Sequence, residues 1–435
     1  MNARLASISM ALLVTLAGCG GGDGDSTQQA STGGGGTGAQ PASPPPVTTP
    51  TPTPEKPQTA LQATQALLKA TASRGAIPGV MASPPIITCG TANMPSTIAN
   101  STLIAPDNPA LRYNGTLVQA GPLHPDNTLV RNIAVNYGGL GRGSNVLHID
   151  FVTDAPVFEI LVKGNVEISA HRILVDGAYA ATTPVSYPDD GNLYLTRVDF
   201  QGERKARHIR IETNDMRFGG IRVGQGDTVS AAPAQGNVRA IALGDSVTEG
   251  MSGHGYSFEN YATRLGYEMG WKDMYVSGVG STGYLAAPST KLKLRDRLAT
   301  DVYPFNPHVI LIAAGINDAP FPPDALQAEA ALLFDDIKAK LPNTIVFVLG
   351  PWSPGSTHVI QRDAIKAAVG GRANFHFIDN VGEQWQTGSG NVANPKGDGN
   401  GDVYVSADGT HPTLAGHIFL TEKVAAAMRK VIGTF

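Results

Sequence analysis

The stretch Ile241-Ala-Leu-Gly-Asp-Ser-Val-Thr-Glu-Gly250 decides how the chain is read. Its first residues make an apolar run of the kind a strand covered on both faces requires, and Gly244-Asp245-Ser246 ends that run on a sharp turn. Ser246 is thereby held out as a candidate nucleophile. A serine hydroxyl is a poor nucleophile until a base takes its proton, so a base, an orienting acid and donors for an oxyanion must come from elsewhere. Three later blocks can supply them: the glycine-rich turn Gly278-Val-Gly-Ser-Thr-Gly283, Gly315-Ile-Asn-Asp318 after a hydrophobic strand, and Asp408-Gly-Thr-His411 near the C-terminus.

The residues around these blocks alternate strand and helix. Strands are predicted at Val238 to Leu243, Met274 to Ser277, His308 to Ala313, Thr344 to Leu349 and Asn374 to Ile378. Helices are predicted at Tyr256 to Met269, Pro323 to Lys340, Val359 to Val369 and Leu414 to Val431. Continuous apolar strands such as Val309-Ile-Leu-Ile312 imply a parallel sheet covered on both faces, where ligands bind beyond the carboxyl ends of the strands. The four blocks fall at such ends. No Gly-x-Ser-x-Gly sequence occurs, which argues against the nucleophile elbow of ordinary α/β-hydrolases.

Together the four blocks resemble the SGNH (GDSL) hydrolase family, over roughly residues 238 to 435. The resemblance implies an α/β fold with a three-layer, parallel-sheet domain, and Gly244, Asp245 and Ser246 match its first block residue by residue. His411 is the candidate base. Asp408, three residues earlier, can fold back to Nδ1, fix the tautomer and stabilise the imidazolium as it forms. Pro412 suits the start of the last helix. The resemblance further implies three oxyanion donors: the backbone N–H of Ser246, a backbone N–H in the 278–283 turn, and the side-chain amide of Asn317. Ser281 stands where the family has a second glycine, so the turn's donor is Gly280 or Ser281. Asp318 is expected to brace its loop.

Upstream the composition changes several times. Met1-Asn-Ala-Arg4 and the short apolar run Leu5 to Leu16 read as a signal peptide, too short to span a bilayer as a helix. Leu16-Ala-Gly-Cys19 resembles the bacterial lipobox, which implies removal of residues 1–18, lipidation of Cys19 and, with Gly20 following, an outer-membrane location facing the periplasm or the exterior. Cys89 is then the remaining cysteine. Residues 19–58 are dominated by Gly, Ser, Thr, Pro and Ala, unable to bury enough apolar area to offset chain entropy, and read as a tether. Residues 59–84 hold a short helix, Thr59 to Ser73, and a connector. Over 85–230 the period becomes two, as in Val146-Leu-His-Ile-Asp-Phe-Val152 and Arg207-His-Ile-Arg-Ile-Glu212, with a turn at Asp189-Asp-Gly191 between two strands. This region is read as a β-sandwich of the jelly-roll kind. His148, His171 and His208 lie on separate strands without ligand spacing and are read as polar-face residues rather than a metal site. Thr228 to Asn237 is a linker.

The expected activity is that of a serine esterase needing no cofactor. A sandwich followed by an SGNH domain resembles certain carbohydrate deacetylases, which points to short O-acetyl esters on a glycan. The alternatives are hydrolysis of longer acyl chains, as by lipases or thioesterases, and an inert glycan-binding surface lipoprotein; the intact Ser, His, Asp and Asn set argues against the last. A formal net charge of −4 without long basic runs gives no reason to expect nucleic acid binding. Asp398-Gly-Asn-Gly-Asp402 lacks the sixth-position glycine and the twelfth-position glutamate of a calcium loop, and reads as a polar loop beside His411. Trp352 and Trp385 follow two strand ends, where they form either a sugar-stacking platform or plain packing.

Overall fold

The computed structural model describes residues 59–435 apart from 74, 122–128, 133–145, 165–168, 234–237, 251–254 and 289–290. The signal peptide, Cys19 and the tether of the sequence reading lie outside the described residues. Residues Pro57–Phe435 form one compact unit.

The first helix, Ala60–Thr71, opens on a capping box: Thr59 Oγ1 accepts from Gln62 N at 3.2 Å, and Gln62 Oε1 accepts from Thr59 N at 2.9 Å. Such a cap is worth roughly 0.5–2 kcal/mol. Leu68, fully buried, joins a core built from the α/β half of the chain, where it is grouped with Trp271, Met428 and Ile432. Arg429 Nε donates to Ala72 O at 2.9 Å and Trp271 Nε1 to Thr71 Oγ1 at 3.2 Å. The helix therefore skips the region that follows it in sequence and docks on the last helix of the chain.

Two antiparallel seven-stranded sheets come next. One centres on Val157–Gly164 between Tyr194–Asp199 and Met216–Val223, the other on Arg207–Asn214 between Ala170–Val175 and Val146–Thr153. Alternation explains how they meet. Leu147, Ile149, Phe151, Ile209 and Ile211 of one sheet share a core with Phe158, Ile160, Val198 and Ile221 of the other. The predicted turn at 189–191 joins strands Val185–Ser186 and Tyr194–Asp199 that belong to different sheets, so the chain changes layer there instead of forming a hairpin.

Four polar side chains of the second sheet are covered rather than solvated, which corrects the reading of His148 as an ordinary polar-face residue. His148, Asp150, Arg210 and Glu212 are buried at 6% exposure or less. They press against the α/β layer: Arg210 Nη2 donates to Lys272 O at 3.3 Å, Arg172 Nη2 to Phe258 O at 2.9 Å, and Tyr267 donates to Glu212. Within this seam Arg210 holds Asp150 through two bonds of 2.9 and 3.0 Å, and Arg172 holds Glu212 at 2.6 Å. The three histidines do not converge. His208 Nε2 meets Asp150 at 2.8 Å, His148 stands 3.5 Å from Glu212, and His171 Nδ1 is 3.2 Å from Met216 Sδ.

Burial pushes His148 down to about 4 and His171 to about 3. Between the unfolded value near 6.5 and those folded values the unfolded chain holds the extra proton, so each histidine subtracts stability as pH falls through that window. Urea unfolding of wild type and His171→Gln at pH 7.5 and 4.5 should show the variant losing less on acidification, by up to about 1.4 kcal/mol per pH unit for one such group. Equal losses in the two proteins would refute this titration.

The third sheet is parallel, in the order Asp273–Gly278, Arg239–Gly244, Val309–Ala313, Ile345–Leu349, Phe375–Ile378. Each predicted strand is present to within one residue at either end. Ala240, Ala242, Leu311 and Phe347 face helices Tyr261–Glu268 and Leu414–Ile432; Ile241, Leu243, Ile310 and Val346 face Pro323–Lys340 and Val359–Val369. This is a three-layer α/β arrangement. The helix expected over Tyr256 to Met269 is broken at Asn260, whose extended backbone and side chain, accepting from Thr263 N at 2.8 Å, cap the shorter helix Tyr261–Glu268. Asn260 Nδ2 also donates to Thr248 O at 2.7 Å, so the cap holds the segment that carries Ser246.

Candidate active site

Strand Arg239–Gly244 delivers Ser246 to the carboxyl end of the parallel sheet. Asp245 Oδ1 accepts from Val247 N at 3.0 Å and starts the one-turn helix Ser246–Glu249. Gly244 has to be glycine, since a Cβ there would stand 2.1 Å from Thr248 Oγ1 and 2.4 Å from Ala313 O. The neighbouring strand ends are tied beneath the turn by Arg297, which is fully buried. It donates to Gly244 O at 3.0 Å and to Ser277 O and Oγ, and it pairs with Asp301 at 3.3 Å. The one-turn helix leaves Ser246 9% exposed.

His411 reaches the serine from the other end of the chain. Its Nε2 lies 2.8 Å from Ser246 Oγ, and its Nδ1 lies 2.6 Å from Asp408 Oδ2. The other carboxylate oxygen of Asp408 accepts from Ser406 Oγ at 2.7 Å, Thr410 N at 2.8 Å and His411 N at 2.9 Å. Partial burial alone would raise this carboxyl, but the bonds from His411, Ser406 and Thr410 outweigh it and hold Asp408 well below the usual carboxylate range. An ionised Asp408 has no proton to give, so Nδ1–H donates to it and Nε2 is left to accept from the serine hydroxyl. Trp352 Nε1 donates to Thr410 O at 2.7 Å and steadies the same loop. Trp352 and Trp385 are 6% and 5% exposed and sit in the apolar core, so they are packing residues and offer no sugar-stacking platform.

The 278–283 turn also packs against Ser246. A Cβ on Gly280 would be 3.5 Å from Ser246 Cβ, which places that turn against the nucleophile. Ser281, the residue standing where the resemblance has glycine, takes φ 65°, the left-handed conformation glycine adopts freely. Asn317 Nδ2 donates to Thr282 O at 2.9 Å, which joins the third block to the turn and leaves its second amide hydrogen for another acceptor. Asp318 does brace its surroundings: its carboxylate accepts from the N–H groups of Tyr284, Leu285 and Ala286 at 2.8–2.9 Å.

Two acids lie beside Ser246, Asp245 of the first block and Glu249, which the sequence reading gave no role. Burial pushes Asp245 up to about 7, against the opposing bond from Val247 N–H. Burial also raises Glu249, only partly offset by Lys291 and by the N–H of Gly280. The loop 398–402 turns its carboxylates onto the backbone of the preceding residues: Asp398 accepts from Ser389 N, and Asp402 from Lys396 N at 2.8 Å and Gly397 N at 2.6 Å. Among the described residues no three His, Cys, Asp or Glu side chains are grouped as a metal would require.

Residues 242–418 match the model of the GDSL-like lipase/acylhydrolase family. No curated protein sequence matches the chain. Several solved structures do. The salicylyl-acyltransferase SsfX3 of a tetracycline biosynthetic pathway aligns over 77% of this chain and 98% of its own, with TM-score 0.57 and 15% identity. A family two carbohydrate esterase from Clostridium thermocellum, in complex with cellohexaose, aligns over 75% and 100%, with TM-score 0.54 and 16% identity. An acetyl xylan esterase from the rumen bacterium Butyrivibrio proteoclasticus aligns over 77% and 100%, with TM-score 0.53 and 13% identity. At such identities the likeness is one of fold, and its extent takes it well beyond residues 242–418.

Proposed function

Residues 242–418 belong to the GDSL-like lipase/acylhydrolase family and the chain is a carboxylic ester hydrolase, a premise from which we propose that Ser246, His411 and Asp408 hydrolyse short O-acetyl esters on a glycan. The observation that carries the catalytic part is the unbroken relay of 2.6 Å from Asp408 to His411 and 2.8 Å from His411 to Ser246. Ser246 Oγ attacks the ester carbonyl while His411 Nε2 takes its proton. The tetrahedral oxyanion is met by Ser246 N–H, by Ser281 N–H and by the free amide hydrogen of Asn317. Gly280 is the less suitable of the two turn donors, because the Glu249 carboxylate already crowds it, Oε2 lying 2.6 Å from where a Cβ on Gly280 would stand. His411 then returns the proton to the leaving alcohol, and water, activated by the same imidazole, releases acetate from the acyl-enzyme.

Support for a glycan substrate comes from the names of the structural neighbours, a family two carbohydrate esterase bound to cellohexaose and an acetyl xylan esterase. Two measurements test the proposal. On p-nitrophenyl esters of two to twelve carbons, kcat/KM should peak at acetate, and acetylated xylan should release acetic acid; a maximum at octanoate or longer sinks the acetyl assignment. Asn317→Ala should lower kcat by about 10²–10³ with little change in KM, since an oxyanion donor acts chiefly in the transition state.

Anchoring is part of the same proposal: the lipobox-like Leu16-Ala-Gly-Cys19 places a lipid on Cys19. Cys19→Ala should stop incorporation of a labelled fatty acid and shift the protein from the membrane to the soluble fraction. Undiminished labelling would rule the anchor out.

A further inference from the structure

A trans peptide carries its C=O and N–H in one plane and pointing in opposite directions, so whatever holds the carbonyl of residue 280 also directs the N–H of residue 281. In this structure the Gly280 carbonyl accepts from Lys291 Nζ at 2.6 Å. The Glu249 carboxylate stands against the same residue, its Oε2 2.6 Å from where a Cβ on Gly280 would lie. Lys291 and Glu249 also attract each other across Gly280. A carbonyl bonded to an ammonium polarises its own amide, and the N–H of the same peptide becomes a stronger donor.

From this geometry we propose that Lys291 is a positioning residue of the oxyanion hole, aiming and polarising the Ser281 N–H toward the oxygen on which negative charge develops. The inference rests on Ser246 as nucleophile and the Ser281 N–H as donor. It accounts for a serine being tolerated at φ 65°: a clamp on the carbonyl of the adjoining peptide holds a backbone that non-glycine residues seldom adopt. Lys291 touches no reacting atom in this scheme and acts through the peptide.

The test compares Lys291→Met, Lys291→Gln and Lys291→Arg with wild type on p-nitrophenyl acetate and in binding of methylboronic acid, whose serine adduct places an oxygen in the oxyanion hole. Lys291→Met should lower kcat about 10- to 100-fold, the span of a charge-assisted hydrogen bond, with KM within about twofold. Boronate affinity should fall by the same factor. Lys291→Gln should fall between Met and wild type, and Lys291→Arg, which keeps the charge and a donor, should recover most of the loss. Unchanged kcat in Lys291→Met, beside a large loss in Asn317→Ala, overturns the inference and leaves the nucleophile assignment standing. So does a loss that Lys291→Arg shares in full, or one that spares boronate affinity. Substantial turnover by Ser246→Ala is a separate outcome and removes the reading on which the inference rests.

Discussion

Replacing Ser246 by alanine should lower kcat for a small acetate ester by about 10⁵–10⁶, and His411→Ala should cost nearly as much, because residues that act as one unit fail together. The double variant should then be scarcely worse than either single one. Asp408→Asn should be milder, at about 10³–10⁴. The bonding of Asp408 explains the difference. One carboxylate oxygen orients the ring, while the other takes three bonds that shape the loop. An asparagine can keep its oxygen toward the loop, but its amide then faces Nδ1 and favours the wrong tautomer. Steady-state kinetics on protein purified free of host esterase, with fluorophosphonate labelling as a count of competent serines, checks all four variants. Losses from Ser246→Ala and His411→Ala that multiply in the double variant would show that the two act separately.

The second large effect is on stability. Arg297→Leu should destabilise the protein by about 3–5 kcal/mol, since removing one partner of a buried ion pair leaves the other charge uncompensated. Asp301, 1% exposed, would lose its guanidinium partner while keeping the Ser277 and Thr300 hydroxyls as donors, and the carbonyls of Gly244 and Ser277 would lose the same group. Replacing the pair together, Arg297→Leu with Asp301→Leu, should cost less than the single change. Denaturant unfolding of the three proteins decides the matter. A single variant within 1 kcal/mol of wild type would mean the pair contributes little to holding the strand ends.

The parallel layer was legible because its strands are buried on both faces and leave long apolar runs, so predicted and observed ends of Val309–Ala313 or Ile345–Leu349 differ by a residue. Helices Pro323–Lys340 and Val359–Val369 stand where predicted, each with an apolar stripe against one face of the sheet. That Asp408, His411 and Ser246 would meet was legible for another reason: the proposed chemistry restricts residue type, and each sits at a turn the backbone marks. Other features depend on partners remote in sequence. Nothing near Lys291 or Arg297 announces a bond to Gly280 or Gly244, and Asn260 reads as an ordinary helical residue until its side chain is seen to cap. The alternation at His148, Asp150, Arg210 and Glu212 was seen, but two-fold periodicity says only that a face is polar. It does not say that the face is covered.

That covered polar face bears on how the halves of this chain can be inherited. A sheet that packed on the catalytic layer through leucines and valines could be exchanged for any other greasy surface of similar shape. Here three charges on one side answer particular groups on the other: Arg172 meets the carbonyl of Phe258, Glu212 the hydroxyl of Tyr267, and Arg210 the carbonyl of Lys272. Cutting the chain near residue 235 and grafting on a foreign module would strand those groups without counterparts, at a cost of roughly 1–3 kcal/mol for each that stays dry. The seam thus works as a lock with a specific key, and a replacement for either half would have to supply the same counterparts.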